Sequence, residues 1–162
     1  MMEDRRTWKA ATDLWLEAYG CQMEGQLDRA IALYRRSIEA YPTPEAHTFL
    51  GWTMGLQGRF DEAVHECLLA IEIDPEFGNP YNDIGVYLMQ RDLLEEAIPW
   101  LKRAKRARRY EPRQFPFMNL GRVYVQQGRW WKALREFEAA VRLAPGDARA
   151  SRMLHHLRGR LN

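Results

Sequence analysis

Two cysteines in 162 residues are too few for a disulfide-stapled scaffold and fit a reducing compartment. No apolar run approaches the ~20 residues needed to span a bilayer. The opening stretch, MMEDRRTWKAATDLW, is charged and has no apolar core of signal-peptide length. Membrane insertion is therefore not expected, and the cytoplasm is the expected compartment. The signatures of catalysis are missing too: there is no phosphate-binding glycine loop, no H-E-x-x-H, no nucleophile elbow and no paired C-x-x-C. The adjacent His155 and His156 would point about 100° apart on a helix, which is poor geometry for sharing a metal. Glu95 and Glu96 fall where a helix starts, and acidic residues there favour the helix dipole. The expectation is a protein without enzymatic activity, cofactor or metal.

What the chain does contain is repetition. A small residue (Ala18, Gly51, Gly85, Gly121) is followed twelve residues later by an alanine (Ala30, Ala63, Ala97, Ala133). Twelve residues further on stands a proline in three of the four copies: Pro42, Pro75 and Pro145. The alanines lie 33, 34 and 36 residues apart, a period that signals stacked helical hairpins. Each copy reads as two amphipathic helices, A and B, with a turn at Gly25, Gly58, Asp92 or Gly128. A small residue in the middle of helix A lets helix B come close, and the alanine does the same for the next unit. In the first copy a second register, through Leu16, Tyr19, Gly20 and Met23, also fits. The Ala18 register is preferred because it keeps the seven-residue step to the turn glycine.

The third copy departs from the pattern. Arg109 replaces its proline, so its second helix is expected to run on towards Pro112, and Pro99 should kink it. A last helix is expected from about 148 to 158, stopped by Gly159, with Met153, Leu154 and Leu157 as its apolar stripe. Trp130 aligns with Leu27, Phe60 and Leu94 and should be core. Trp131 aligns with Asp28, Asp61 and Glu95 and should be exposed, either as a contact point or packed on Pro112 or Arg113.

These positions resemble the tetratricopeptide repeat family, whose pattern runs W-x2-L-G-x2-Y, then A-x3-F and P. The resemblance extends from about Ala11 to Asp147. It implies an all-α, right-handed superhelical solenoid of four helix pairs plus a capping helix. The chain then forms one domain over 1–162, with repeats at about 11–43, 44–77, 78–111 and 114–147. In that fold helix A lines a concave groove. The matching groove positions here are Trp15, Tyr19, Thr48, Phe49, Trp52, Asn82, Asp83, Val86, Phe115, Met118, Asn119 and Arg122. Aromatic groups there would anchor a partner, and asparagines would pair with its backbone. The clamp that relatives use for chaperone carboxylate tails does not carry over. Its positions hold Trp15, Tyr19, Phe49, Asn79 and Asp83, or one repeat later Thr48, Trp52, Asp83, Phe115 and Asn119, with no cation in either frame.

The net charge of +2 hides an asymmetry. Through Asp83 there are 15 acidic and 7 basic residues; from Ile84 onward there are 7 and 17. A cluster stands out: Lys102, Arg103, Lys105, Arg106, Arg108, Arg109 and Arg113. The leading expectation is an adaptor or scaffold that binds a peptide or helix of another protein in the groove. The alternatives are binding of nucleic acid or another polyanion through 102–113, and charge-driven, head-to-tail self-association.

Overall fold

The computed structural model describes residues 2–161, without the side chains of residues 2–4. Among these residues the chain forms nine helices: α1 (Met2–Met23), α2 (Leu27–Ala40), α3 (Pro44–Leu56), α4 (Phe60–Ile73), α5 (Asn79–Gln90), α6 (Leu94–Arg106), α7 (Phe115–Gln126), α8 (Trp130–Leu143) and α9 (Ala148–Leu161). Consecutive helices pack in pairs, and α9 closes the stack against α8. The odd-numbered helices also touch along the series α1–α3, α3–α5 and α5–α7. Among the described residues the even-numbered helices make no comparable contact with one another. The odd helices therefore line the inner side of the curve.

Local chemistry sets the helix ends. Thr43 caps α3 by accepting from the Ala46 amide at 3.1 Å, with Pro44 next to it at the first helical position. All four turns within pairs close alike. The second is representative: Gly58 N donates to Gly55 O and Arg59 N to Met54 O, both at 3.0 Å, the two bonds of a Schellman cap. That cap needs a left-handed residue, supplied by Gly25, Gly58 and Gly128 and, in the third pair, by Asp92 at φ 61.

The repeated small residues sit where helices meet. Ala18, Ala30, Ala63, Ala97 and Ala133 are wholly buried. A Cβ on Gly51 would stand 2.9 Å from the Ala63 carbonyl oxygen, so the backbone of α4 itself approaches there. On Gly85 it would meet Leu101 at 2.6 Å, and on Gly121 it would overlap the Phe137 ring. Where helix B carries the small Cys67 its backbone comes close; where it carries leucine or phenylalanine, that side chain fills the space. The first copy follows the Ala18 register, since Leu16 is 56% and Met23 52% exposed.

Three expectations are corrected. Helix α6 is not extended: it ends at Arg106 and is 13 residues long, against 14 for α2, α4 and α8. The extra residues form a backbone bridge instead. Arg109 N donates to Glu76 O at 3.0 Å, and Gly78 N to Arg109 O at 2.8 Å. Gly78 permits this, because a Cβ there would lie 2.7 Å from that of Tyr110. Helix α9 runs through Gly159 to Leu161, since Gly159 is exposed and no left-handed residue ends the helix there. Trp130 is not core: it is 36% exposed, with the Arg160 guanidinium 5.6 Å from its ring centroid. Helix α6 also continues through Pro99, which faces solvent, so water can reach the carbonyl that proline leaves unpaired. Trp131 is exposed, at 66%.

Two substitutions test this packing. Gly51→Ala should lower stability by roughly 1–3 kcal/mol despite alanine's better helix propensity. Gly20→Ala, with nothing within 4 Å of the added methyl, should raise it by up to about 1 kcal/mol, both read by denaturant unfolding. Tyr87 packs against Gly55 with its hydroxyl buried and without a hydrogen-bond partner. Tyr87→Phe should therefore leave the melting temperature unchanged or raise it, since it removes an uncompensated desolvation cost of about 1 kcal/mol or more.

Candidate binding groove

The inner face changes character along its length. At the α1 end it is aromatic. Trp15 and Tyr19, four residues apart and so on one helix face, stack with ring centroids 5.8 Å apart. Phe49 on α3 packs in T-shaped contact with both, at centroid distances of 4.9 and 5.7 Å, and with Trp52 at 5.6 Å. Trp15 and Phe49 are half-buried and join the first two pairs; Tyr19 and Trp52 are each 37% exposed. Thr48 is buried, its hydroxyl donating to Pro44 O at 2.7 Å, and belongs to the groove floor.

The middle is a chain of polar side chains. Arg122 donates to Asn119 Oδ1 at 3.4 Å, Asn119 Nδ2 to Asn82 Oδ1 at 2.9 Å, and Asn82 Nδ2 to Asp83 Oδ1 at 3.4 Å. Asn82 and Met118 are buried; Asp83, Val86, Phe115 and Asn119 are half-buried. Among the described residues no cation pairs with Asp83. Burial pushes its carboxyl up to about 7, opposed only by the Asn82 amide.

At the α9 end the face turns cationic. A cavity of about 440 Å³ opens between α7 and α9, with Phe115, Met118 and Met153 as its apolar lining and Asn119, Arg122, Arg149 and Arg152 as its polar lining. Arg149 lies 4.9 Å over the Phe115 ring. Its nearest carboxylate, Asp147, is 3.5 Å away and serves mainly as the α9 cap. Asp147 accepts from Gln114 Nε2 at 3.0 Å and from the Arg149 and Ala150 amides at 2.8 and 3.3 Å, and these bonds, the Gln114 amide first, hold it down at about 2. Arg149 and Arg152 are not among the groove positions expected from the sequence, because a capping helix is not expected to line the groove. The signal was there: the register that places Phe115, Met118 and Arg122 in the groove places Arg149, Arg152 and His156 on α9.

The basic cluster of 102–113 is largely occupied from within. Arg109 bonds Glu45 at 2.6 Å and Asp74 at 2.7 Å and lies 4.3 Å over the Phe77 ring. Lys105 bonds Glu136 at 2.7 Å, and Arg108 approaches Glu76 at 3.6 Å. Arg113 donates to the carbonyls of Ala107 and Arg108, and Arg103 lies over Tyr81 and Trp100. Cys21 and Cys67 are buried free thiols, and burial pushes the Cys67 thiol well up. No helix among the described residues is long and apolar enough to cross a membrane.

The family profile of the tetratricopeptide repeat matches residues 24–76 and 118–154. The chain belongs to the tetratricopeptide repeat family. This tetratricopeptide repeat protein is also similar in structure to PilF of Pseudomonas aeruginosa, with a TM-score of 0.84 and 24% identity over 92% of this chain and 68% of that one. MamA of Desulfovibrio magneticus RS-1 gives 0.71, at 18% identity over 93% and 85% of the two chains. YrrB gives 0.64, at 22% identity over 89% and 74%. No curated protein matches the sequence. At these identities the likeness establishes the fold: an all-α superhelix of sequential helix pairs with a ninth, C-terminal helix. The family is one of protein-interaction scaffolds.

The Asp83 site makes a pH prediction. A carboxyl raised to about 7 in the folded state and near its ordinary value when unfolded holds its proton only in the fold between those limits. Stability therefore falls as pH rises from about 4 to 7, and the loss is complete above 7. Asp83→Asn should remove that slope. The gap in unfolding free energy between variant and wild type, read by denaturant unfolding, should widen from pH 5 to pH 8, reaching an order of 2–4 kcal/mol.

Proposed function

We propose that this protein is a non-enzymatic adaptor that holds a peptide or helical segment of a partner protein in the groove lined by α1, α3, α5, α7 and α9. The observation that carries this is a continuous inner face on which exposed aromatic groups, Tyr19 and Trp52, run into the amide chain of Asn82 and Asn119. Aromatic side chains give large contact area at low entropic cost, and amides both donate to and accept from a backbone. YrrB, similar in fold, is described as a TPR protein with an unusual peptide-binding site. Buried free thiols suit action in the cytoplasm.

The polyanion alternative finds less support, because most of the cations of 102–113 already meet carboxylates, carbonyls or rings of the same chain. The same pairing lowers the drive for head-to-tail association. Arg109, from the basic half, bonds Glu45 and Asp74 of the acidic half within one molecule.

Combined Trp52→Ala, Asn82→Ala and Asn119→Ala should weaken capture of the partner from native lysate by roughly a hundredfold. The helical circular dichroism should stay unchanged, because removing both amides together leaves neither partner of that hydrogen bond orphaned. Undiminished capture, or capture that vanishes on nuclease treatment, would sink the groove reading.

A further inference from the structure

We infer that the α9 end of the groove is an anion subsite in which Arg122, Arg149 and Arg152 take the carboxylate side chains of an acidic peptide segment. This rests on the groove reading and names the chemistry of one end of its partner.

Charge and shape lead to it. Three arginines line one cavity of about 440 Å³, and among the described residues no Asp or Glu lines it. Asp147, the acid nearest to it, has its oxygens engaged by Gln114 and by the first amides of α9. Among the described residues no carboxylate pairs with Arg122 or Arg152. The contrast with Arg109, Lys105 and Arg158 is direct, since each of these meets a Glu or Asp at 2.9 Å or less. Arg122 is oriented by Asn119 Oδ1, which does not neutralise it, and Arg149 lies over the Phe115 ring with a 3.5 Å approach to an Asp147 carboxylate already engaged by three amides. A planar fork such as that of Arg122, held in place and without a carboxylate partner, suits a carboxylate, which it can bind through two parallel hydrogen bonds.

A peptide is favoured over other anions because the cavity is continuous with the groove. Asn119 belongs both to its wall and to the amide chain that leads to Asn82. Phe115, Met118 and Met153 add apolar lining suited to the methylenes of glutamate. The site is separate from the positions of the chaperone-tail clamp, which carry no cation in this chain.

The test uses the whole protein and side-chain NMR of its arginine Nε–Hε groups. The probes are acetyl-Asp-Glu-Asp-Glu-amide, its neutral counterpart acetyl-Asn-Gln-Asn-Gln-amide, inorganic phosphate and a short oligothymidylate. The acidic peptide should shift Arg122, Arg149, Arg152 and the Asn119 amide, and the neutral peptide should leave them in place. Arg149→Gln with Arg152→Gln should weaken acidic-peptide binding roughly tenfold without changing the melting curve, and added salt should weaken it further. Absence of shifts at these three arginines, or shifts confined to 102–109, would overturn the inference. Tighter binding of phosphate or oligothymidylate than of the acidic peptide would overturn the assignment to carboxylates. The two readings fail separately. If the Trp52/Asn82/Asn119 variant loses its partner while the acidic peptide leaves the arginines unmoved, this inference alone falls. If the peptide binds the arginines and that variant keeps its partner, the groove reading falls.

Discussion

Everything in this molecule depends on how closely helices approach at the repeated small residues. Ala30, Ala63, Ala97 and Ala133 are wholly buried, and each stands beyond the turn from a small residue on the helix before it. Glycine in mid-helix costs about 1 kcal/mol against alanine. At Gly51, Gly85 and Gly121 that cost is offset because any side chain would strike a neighbour: a carbonyl oxygen, a leucine, a phenyl ring. The approach keeps each pair tight, and tight pairs repeated at a constant offset bring the odd helices into contact with one another. The groove is a consequence of that spacing, since one face of every odd helix is left without a partner of its own.

The architecture was legible because its cause is local and periodic. A slot that must be small repeats at 33 to 36 residues, and the turns repeat their left-handed residue with it. The exceptions to the period were harder to read. Arg109 in the proline slot suggested a longer α6, since nothing in the residue itself stops a helix. The helix stops because the segment after it pairs with residues 76–78, a contact between parts of the chain more than thirty residues apart. Trp130 aligns with half-buried residues in the earlier pairs, yet only the single helix α9 follows its pair, and about a third of the residue remains open. At Gly159 the residue type suggested a stop, but a glycine ends a helix only when its backbone turns left-handed.

Charge was the least legible property, for a general reason. A cluster in sequence shows where cations are made, and only the fold shows which of them are already satisfied. Lys105 and Arg109 are tied to acids 31 and 35 residues away. Arg122, Arg149 and Arg152 form no run in sequence, yet α7 and α9 bring them to one cavity. A surface ion pair contributes little stability, but it does remove a cation from the set available to a partner. The groups without an ionic partner are therefore the more telling ones: Asp83 in the middle of the face, and Arg122 and Arg152 at its end beside Arg149, whose one carboxylate neighbour stands at 3.5 Å.

Those groups constrain what could lie along the face. Each odd helix contributes a few side chains, and neighbouring helices pack about 10 Å apart. From α1 to α9 there are four such steps, or roughly 40 Å. An extended chain spans that with about 12 residues, at ~3.4 Å each; a helix would need about 27. A segment of this kind would meet exposed rings first, then amides around an acid whose carboxyl is raised to about 7, then guanidinium groups. A sequence that is apolar at one end and acidic at the other satisfies all three zones in only one direction. Reversed, it would set its carboxylates against Tyr19 and Trp52 and leave the arginines empty, so the groove proposed above would select the direction of a bound segment as well as its length.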